Sequence, residues 1–311
     1  MTTSIWFWVA FHIGVFIAIV VDLAQFKLRD RELSLRAAAR RSAIWIILSL
    51  LFNLIVWKLR GPEKALDFLT GYLIEYSLSV DNIFVFVLIF SYFRVPPIAQ
   101  HRVLVWGILG ALVMRGIMIW LGVALVERFQ FVLYIFGVFL IVSAWRMFFG
   151  EQNVQNLGDS FVMRCCRKSV RVTDEFHGAD FTAKVNGRWM FTPLVLVVIV
   201  IDVMDLIFAI DSIPAVFAIT RDTFIIYTSN ICAILGLRSL YFLLAKLMDR
   251  FVYLRIGLAI LLAFVGLKMI LADYFPISNW ISLAVIVLVL AVTISASLIS
   301  THGKIIDKEA K

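Results

Sequence analysis

Charge is scarce in this sequence: 16% of its 311 residues are Asp, Glu, Lys or Arg, against about a quarter in soluble domains. Pro is scarce too, with 6 in the chain, and so are Cys with 3 and His with 4. Little charge together with 62% hydrophobic residues and a mean hydropathy of +0.97 excludes a disordered chain, a coiled coil and a soluble enzyme. The three Cys are the adjacent Cys165 and Cys166, and Cys232 in an apolar run. They form no disulfide framework and make a poor zinc site. What the chain has instead is apolar length.

Apolar runs able to cross a bilayer, roughly 17–25 residues each, recur nine times, at 5–23, 43–57, 66–92, 103–126, 129–148, 191–219, 223–245, 254–272 and 278–300. No basic stretch precedes the first run and no small-x-small cleavage site follows it, so it is expected to be a retained span and not a signal peptide. Of the 29 Lys and Arg, 21 fall in the loops that alternate spans place on one side, at 27–41, 94–102, 146–188, 246–255 and 304–311. Five fall on the other side, and Arg115, Arg238 and Lys268 lie inside spans. Positive residues favour the cytoplasm, so nine spans are expected with the N-terminus outside and the C-terminus inside. The net charge of +8 therefore records orientation in the lipid bilayer and does not call for a nucleic-acid partner. The long inner connection, 150–190, reads as a linker or a small cytosolic subdomain.

Three features recur in one order. Glu75, five residues and then Asp81-Asn82-Ile83 match Asp205, five residues and then Asp211-Ser212-Ile213. The stretch from Gly107 to Arg115 matches that from Asn230 to Arg238, and Glu127-Arg128-Phe129 matches Asp249-Arg250-Phe251, with Arg146-Met147 then falling on Lys268-Met269. Spans 3–5 are thus repeated in spans 6–8. A unit of three spans inserts its second copy upside down, which is the inverted-repeat plan of secondary transporters with a site at the bilayer midplane. The expected organisation is an all-α polytopic membrane protein of about nine helices with a 3+3 inverted-repeat core. Residues 1–60 are peripheral spans 1 and 2, 61–149 the first repeat, 150–190 the cytosolic loop, 191–275 the inverted second repeat, and 276–311 the last span with a cytosolic tail.

Five carboxylates lie deep in these spans: Glu75 and Asp81 in span 3, Asp202, Asp205 and Asp211 in span 6. Each ionised group facing lipid would cost at least about 2.5–3.5 kcal/mol, so they must face the bundle interior and be protonated, paired or metal-bound. Arg115, Arg238 and Lys268 can offset three of the five, and the two remaining charges match a divalent cation. The alternatives are a purely structural charge network or a proton relay. With Asn82 and Ser212 beside the acids, and Asn230 in span 7, every donor is oxygen. This favours Mn²⁺, Ca²⁺ or Mg²⁺ over Zn²⁺ and Cu⁺ and leaves those three open. Residues six apart on a straight helix point about 120° apart, so one ion requires either two stations or an interrupted helix. Pro214 predicts a break in span 6 near 210–214, with freed carbonyls as further ligands. Asp22 and His12 in span 1 read as interfacial and packing residues.

The stretches Leu73-IEYSLSVDNIFVF and Asp202-VMDLIFAIDSIPAVFAI-Thr220, with Thr228-SNICAILGLRSLYFLL-Leu244 and 171–186, resemble the TerC family of bacterial integral membrane proteins over nearly the whole chain. The resemblance implies a plasma-membrane exporter relieving Mn²⁺ excess, with links to tellurite resistance and alkaline-pH response. It implies metal handling at Glu75, Asp81, Asp205 and Asp211, with Asn82 beside them. The family pattern has Glu where this chain has Asp202, whose reach is about 1.5 Å shorter, enough to turn a direct ligand into a water-mediated one. The expected activity is Mn²⁺ export driven by proton antiport, with no catalytic residues and no cofactor, Mn²⁺ being cargo, and with Arg115 and Arg238 orienting the acids. Two rivals are a membrane scaffold acting through its inner loop and an intramembrane aspartyl enzyme. The second lacks a Gly-x-Gly-Asp motif.

Overall fold

A computed structural model of the chain describes residues 5–27, 34–129, 131–149, 172–173, 175–176, 178–185, 188–245 and 253–309. These form nine helices and one hairpin: α1 (Ile5–Lys27), α2 (Leu35–Arg60), α3 (Pro62–Tyr92), α4 (Pro97–Arg128), α5 (Val132–Phe149), β1 (Thr182–Val185), β2 (Arg188–Phe191), α6 (Pro193–Phe217), α7 (Thr223–Leu244), α8 (Leu254–Ile270) and α9 (Asn279–Glu309). Eight of the helices are long and apolar enough to cross a membrane. The ninth, α8, has 17 residues, which span about 26 Å at 1.5 Å per residue. The protein is an all-α polytopic membrane protein.

Proline and glycine mark the helix ends. Pro62, Pro97 and Pro193 open α3, α4 and α6 at the first turn, where a missing N–H costs nothing. Gly61 alone joins α2 to α3 at φ 91°, a conformation that a side chain would strain. Asp222 caps α7 by accepting from the N–H groups of Phe224 and Ile225 and takes both Arg60 guanidinium nitrogens, at 2.9 and 3.3 Å. One carboxylate thus ties the end of α2 to the start of α7.

Helix α7 is the centre of the bundle and the most buried of the long apolar helices, and α1 is the least buried. It packs on α2, α3 and α4, while α6 packs on α3, α4 and α5, and α5 packs on α8. Gly71 faces Ser229 and Tyr76 faces Gly236, so α3 and α7 run in one direction. Gly107 faces Ile201 and Gly122 faces Phe217, so α4 and α6 do likewise. Helices α5 and α8 run oppositely, because Gly137 meets Ile270 while Ile141 meets Gly266. Their backbones touch: a Cβ at Gly137 would lie 3.0 Å from the Gly266 carbonyl oxygen, and one at Gly266 2.8 Å from that of Gly137. Lipid tails are as apolar as Leu, so small residues that admit close packing hold such a pair together. Gly137, Leu140 and Ala144 are spaced as Ala259, Leu262 and Gly266 are, and all are buried.

One expectation is corrected. Helix α6 is not broken near 210–214: it runs through Pro214 to Phe217. A single proline removes one N–H and crowds one carbonyl, and α6 ends within a turn of it, so little of the helix remains to be disrupted. The connection before α6 is structured at its described end. Its end forms the β1–β2 hairpin, with Thr182 opposite Phe191, fastened to the start of α4 by Arg102. That side chain donates to the Asp180 carboxylate at 2.7 Å and the Ala179 carbonyl at 2.9 Å. Cys165, Cys166 and the rest of 150–171 lie outside the described residues.

Candidate functional site

The buried acids meet at Arg115. This residue projects from α4 between α3 and α6, and its Nε and Nη2 donate to the two carboxylate oxygens of Asp205 at 3.0 and 2.9 Å. Its Nη1 donates to Glu75 Oε1 and, at 3.2 Å, to Ser212 Oγ. The side chains of Arg115, Glu75 and Asp205 are 1%, 0% and 3% exposed, so no lipid or bulk water screens them. A planar guanidinium with five donors suits this bidentate seat better than an ammonium would. Two helices thereby bring oxygen groups to one point, and a third supplies a cation that is part of the chain. Two carboxylates against one guanidinium leave one formal negative charge.

The other candidates are distributed around this cluster. Asp202 lies three residues before Asp205 on α6 and faces the same helix, α4. A Cβ at Gly110 would lie 2.6 Å from Asp202 Oδ2, so the carboxylate occupies room that only glycine leaves. Asp202 Oδ1 is buried without a hydrogen-bond partner. Asp211 points elsewhere: its Oδ1 accepts from Ser143 Oγ on α5 at 2.7 Å. Asn82 on α3 and Asn230 on α7 are buried. Asp81 lies on α3, and its side chain lies outside the described residues. Among the described residues no three His, Cys, Asp or Glu form a group able to hold a metal ion. A dication would therefore take the Glu75, Asp205 and Ser212 oxygens only if Arg115 moved away.

The roles expected of the bases divide differently from the sequence reading. Arg238 donates through Nη2 to Asp22 of α1, with side chains 3% and 17% exposed. Lys268 is directed to neutral groups on α9, donating to Asn279 Oδ1 at 2.9 Å and Ser282 Oγ at 2.8 Å. Asn279 in turn donates to Asp67 Oδ1 at 2.6 Å. His12 packs as expected, with Nε2 3.1 Å from the Tyr227 hydroxyl. Sequence reasoning passed over Asp67, Ser143 and the Gly110 slot. The spacing of Gly107 and Gly110 on one face of span 4 was the available signal for the last.

The model of the integral membrane protein TerC family matches residues 60–304. An uncharacterized membrane protein of Myxococcus xanthus, STKORF319, is 45% identical over 304 residues, covering 97% of this chain and 95% of that protein. A Salmonella typhi protein provisionally named a membrane-bound redox modulator, Alx, is 44% identical over 98% of this chain and 97% of its own. Its Escherichia coli K12 namesake is 43% identical over 96% of both. No solved structure matches. With buried carboxylates gathered inside a multi-pass helical bundle and relatives aligned over almost its full length, this chain belongs to the TerC family of integral membrane proteins.

Proposed function

We propose that the protein is a secondary transporter that exports divalent metal ions, Mn²⁺ first among them, across the bacterial plasma membrane, with its N-terminus outside. The observation that carries this reading is the convergence of Glu75, Asp205 and Ser212 from two helices on the Arg115 guanidinium of a third. A buried ion cluster is costly to assemble, and one whose ligands are all hard oxygen is suited to exchange one cation for another. The packing supports an inverted-repeat core of 61–149 and 191–275. A two-fold axis relating α3, α4 and α5 to α6, α7 and α8 would generate two same-direction pairs, α3 with α7 and α6 with α4, and one opposed pair, α5 with α8.

Charge suggests the coupling. With Arg115 in place, Glu75 and Asp205 carry one excess negative charge, which one proton offsets. A dication offsets both carboxylates with no proton, so metal entry expels a proton and displaces the guanidinium. Mn²⁺ flux into proteoliposomes carrying a pH gradient tests the proposal: wild type should take up Mn²⁺ and move protons oppositely, and Glu75→Gln and Asp205→Asn should do neither. Normal flux through both variants would refute the site.

A further inference from the structure

If a metal is to use Glu75 and Asp205, Arg115 needs somewhere else to go. A guanidinium released unpaired to lipid is costly, so a second anion must lie within its swing. Most of the described acids of the bundle are engaged elsewhere. Asp22 holds Arg238, Asp211 accepts from Ser143, and Asp67 is bonded by Lys64 and Asn279.

We propose that Asp202 is the second seat of the Arg115 guanidinium, and thus a positioning residue for metal entry and not a metal ligand. This rests on the transport reading above. Asp202 and Asp205 are three residues apart on α6, a separation that puts both side chains on one face about 4.5 Å apart along the axis. Both face α4: Asp205 meets Arg115, and Asp202 lies over Gly110. Helices α4 and α6 run in the same direction, and a helical side chain leans toward the N-terminus of its own helix. Arg115 therefore leans along the axis toward the level at which the Asp202 carboxylate lies over Gly110. Asp202 Oδ1 is buried without a hydrogen-bond partner, an expensive condition for a carboxylate oxygen and a ready acceptor for a donor arriving from Asp205. The exchange is a rotation of one long side chain between two carboxylates of α6. It hands Glu75, Asp205 and Ser212 to the incoming dication while the guanidinium stays paired.

Two measurements test this in purified protein. Mn²⁺ binding should weaken about tenfold in Asp202→Asn, whereas in an Arg115→Gln background the same change should have no further effect, because no guanidinium then needs a seat. Equal weakening in both backgrounds would make Asp202 a ligand and overturn the proposal, as would normal binding by Asp202→Asn alone. The second measurement needs no metal. In Glu75→Gln/Asp205→Asn protein Arg115 should already occupy the second seat, so adding Asp202→Asn should lower the melting temperature, while Asp202→Asn alone should not. Additive melting shifts would refute the seat. If wild type bound no Mn²⁺, the transport reading would fall, and the seat would stand or fall on melting alone.

Discussion

Asp22 of α1 and Arg238 of α7 form an ion pair that joins the least buried helix of the bundle to the most buried one. α1 also reaches α7 through the rings of Phe7, Trp8 and Phe11 around Phe224 and Tyr227, and through His12 on the Tyr227 hydroxyl. Asp22→Asn removes one anion beside a buried guanidinium, which is destabilising. The melting temperature should fall. An unchanged melt would show that α1 is held by its aromatic contacts.

Gly110→Ala should reproduce Asp202→Asn without touching a charge. The new methyl would meet the Asp202 carboxylate at 2.6–2.8 Å and push it out of its slot. Mn²⁺ affinity should drop by about tenfold in a titration that leaves the wild-type fold intact by circular dichroism.

Gly137→Ala is expected to act on stability alone. Its Cβ would stand 2.7 Å from Ile270 and 3.0 Å from the Gly266 carbonyl, forcing α5 and α8 apart at a cost of about 1–3 kcal/mol. The melting temperature should fall while Mn²⁺ affinity of the folded protein stays as in wild type.

Pro214→Ala should leave transport unchanged. Because α6 continues through Pro214, the substitution restores one backbone hydrogen bond to Ile210 and opens no ligand. A loss of Mn²⁺ flux would mean that the local carbonyls matter after all.

Much of this architecture was readable from residue order. Nine apolar runs became nine helices, because a bilayer demands both length and internal hydrogen bonding, and the prolines at 62, 97 and 193 stand where helices begin. The duplication of Glu75 in Asp205 pointed to one axis, and the two side chains do meet. Asp211 does not join them, because six residues turn a helix by about 240° beyond a full revolution, and that direction leads to Ser143 on α5. Least readable was the partner of each base. Arg115 and Arg238 occupy matching places in the duplication, so nothing within it distinguishes them. The distinction comes from α1, which lies outside the repeated segment and brings Asp22 to Arg238 alone. The freedom of Asp202 was equally hidden, since it depends on what a neighbouring glycine leaves unfilled.

The crossing of α5 and α8 at Gly137 and Gly266 has a mechanical meaning. Two backbones already in contact cannot be pressed closer, and with no side chain interposed they have nothing to compress or repack. They can still turn. Any rocking of one half of the bundle against the other would therefore swing about this crossing as about an axle of fixed length. Closure on one face would be geared to opening on the other, while the separation at the pivot stayed constant.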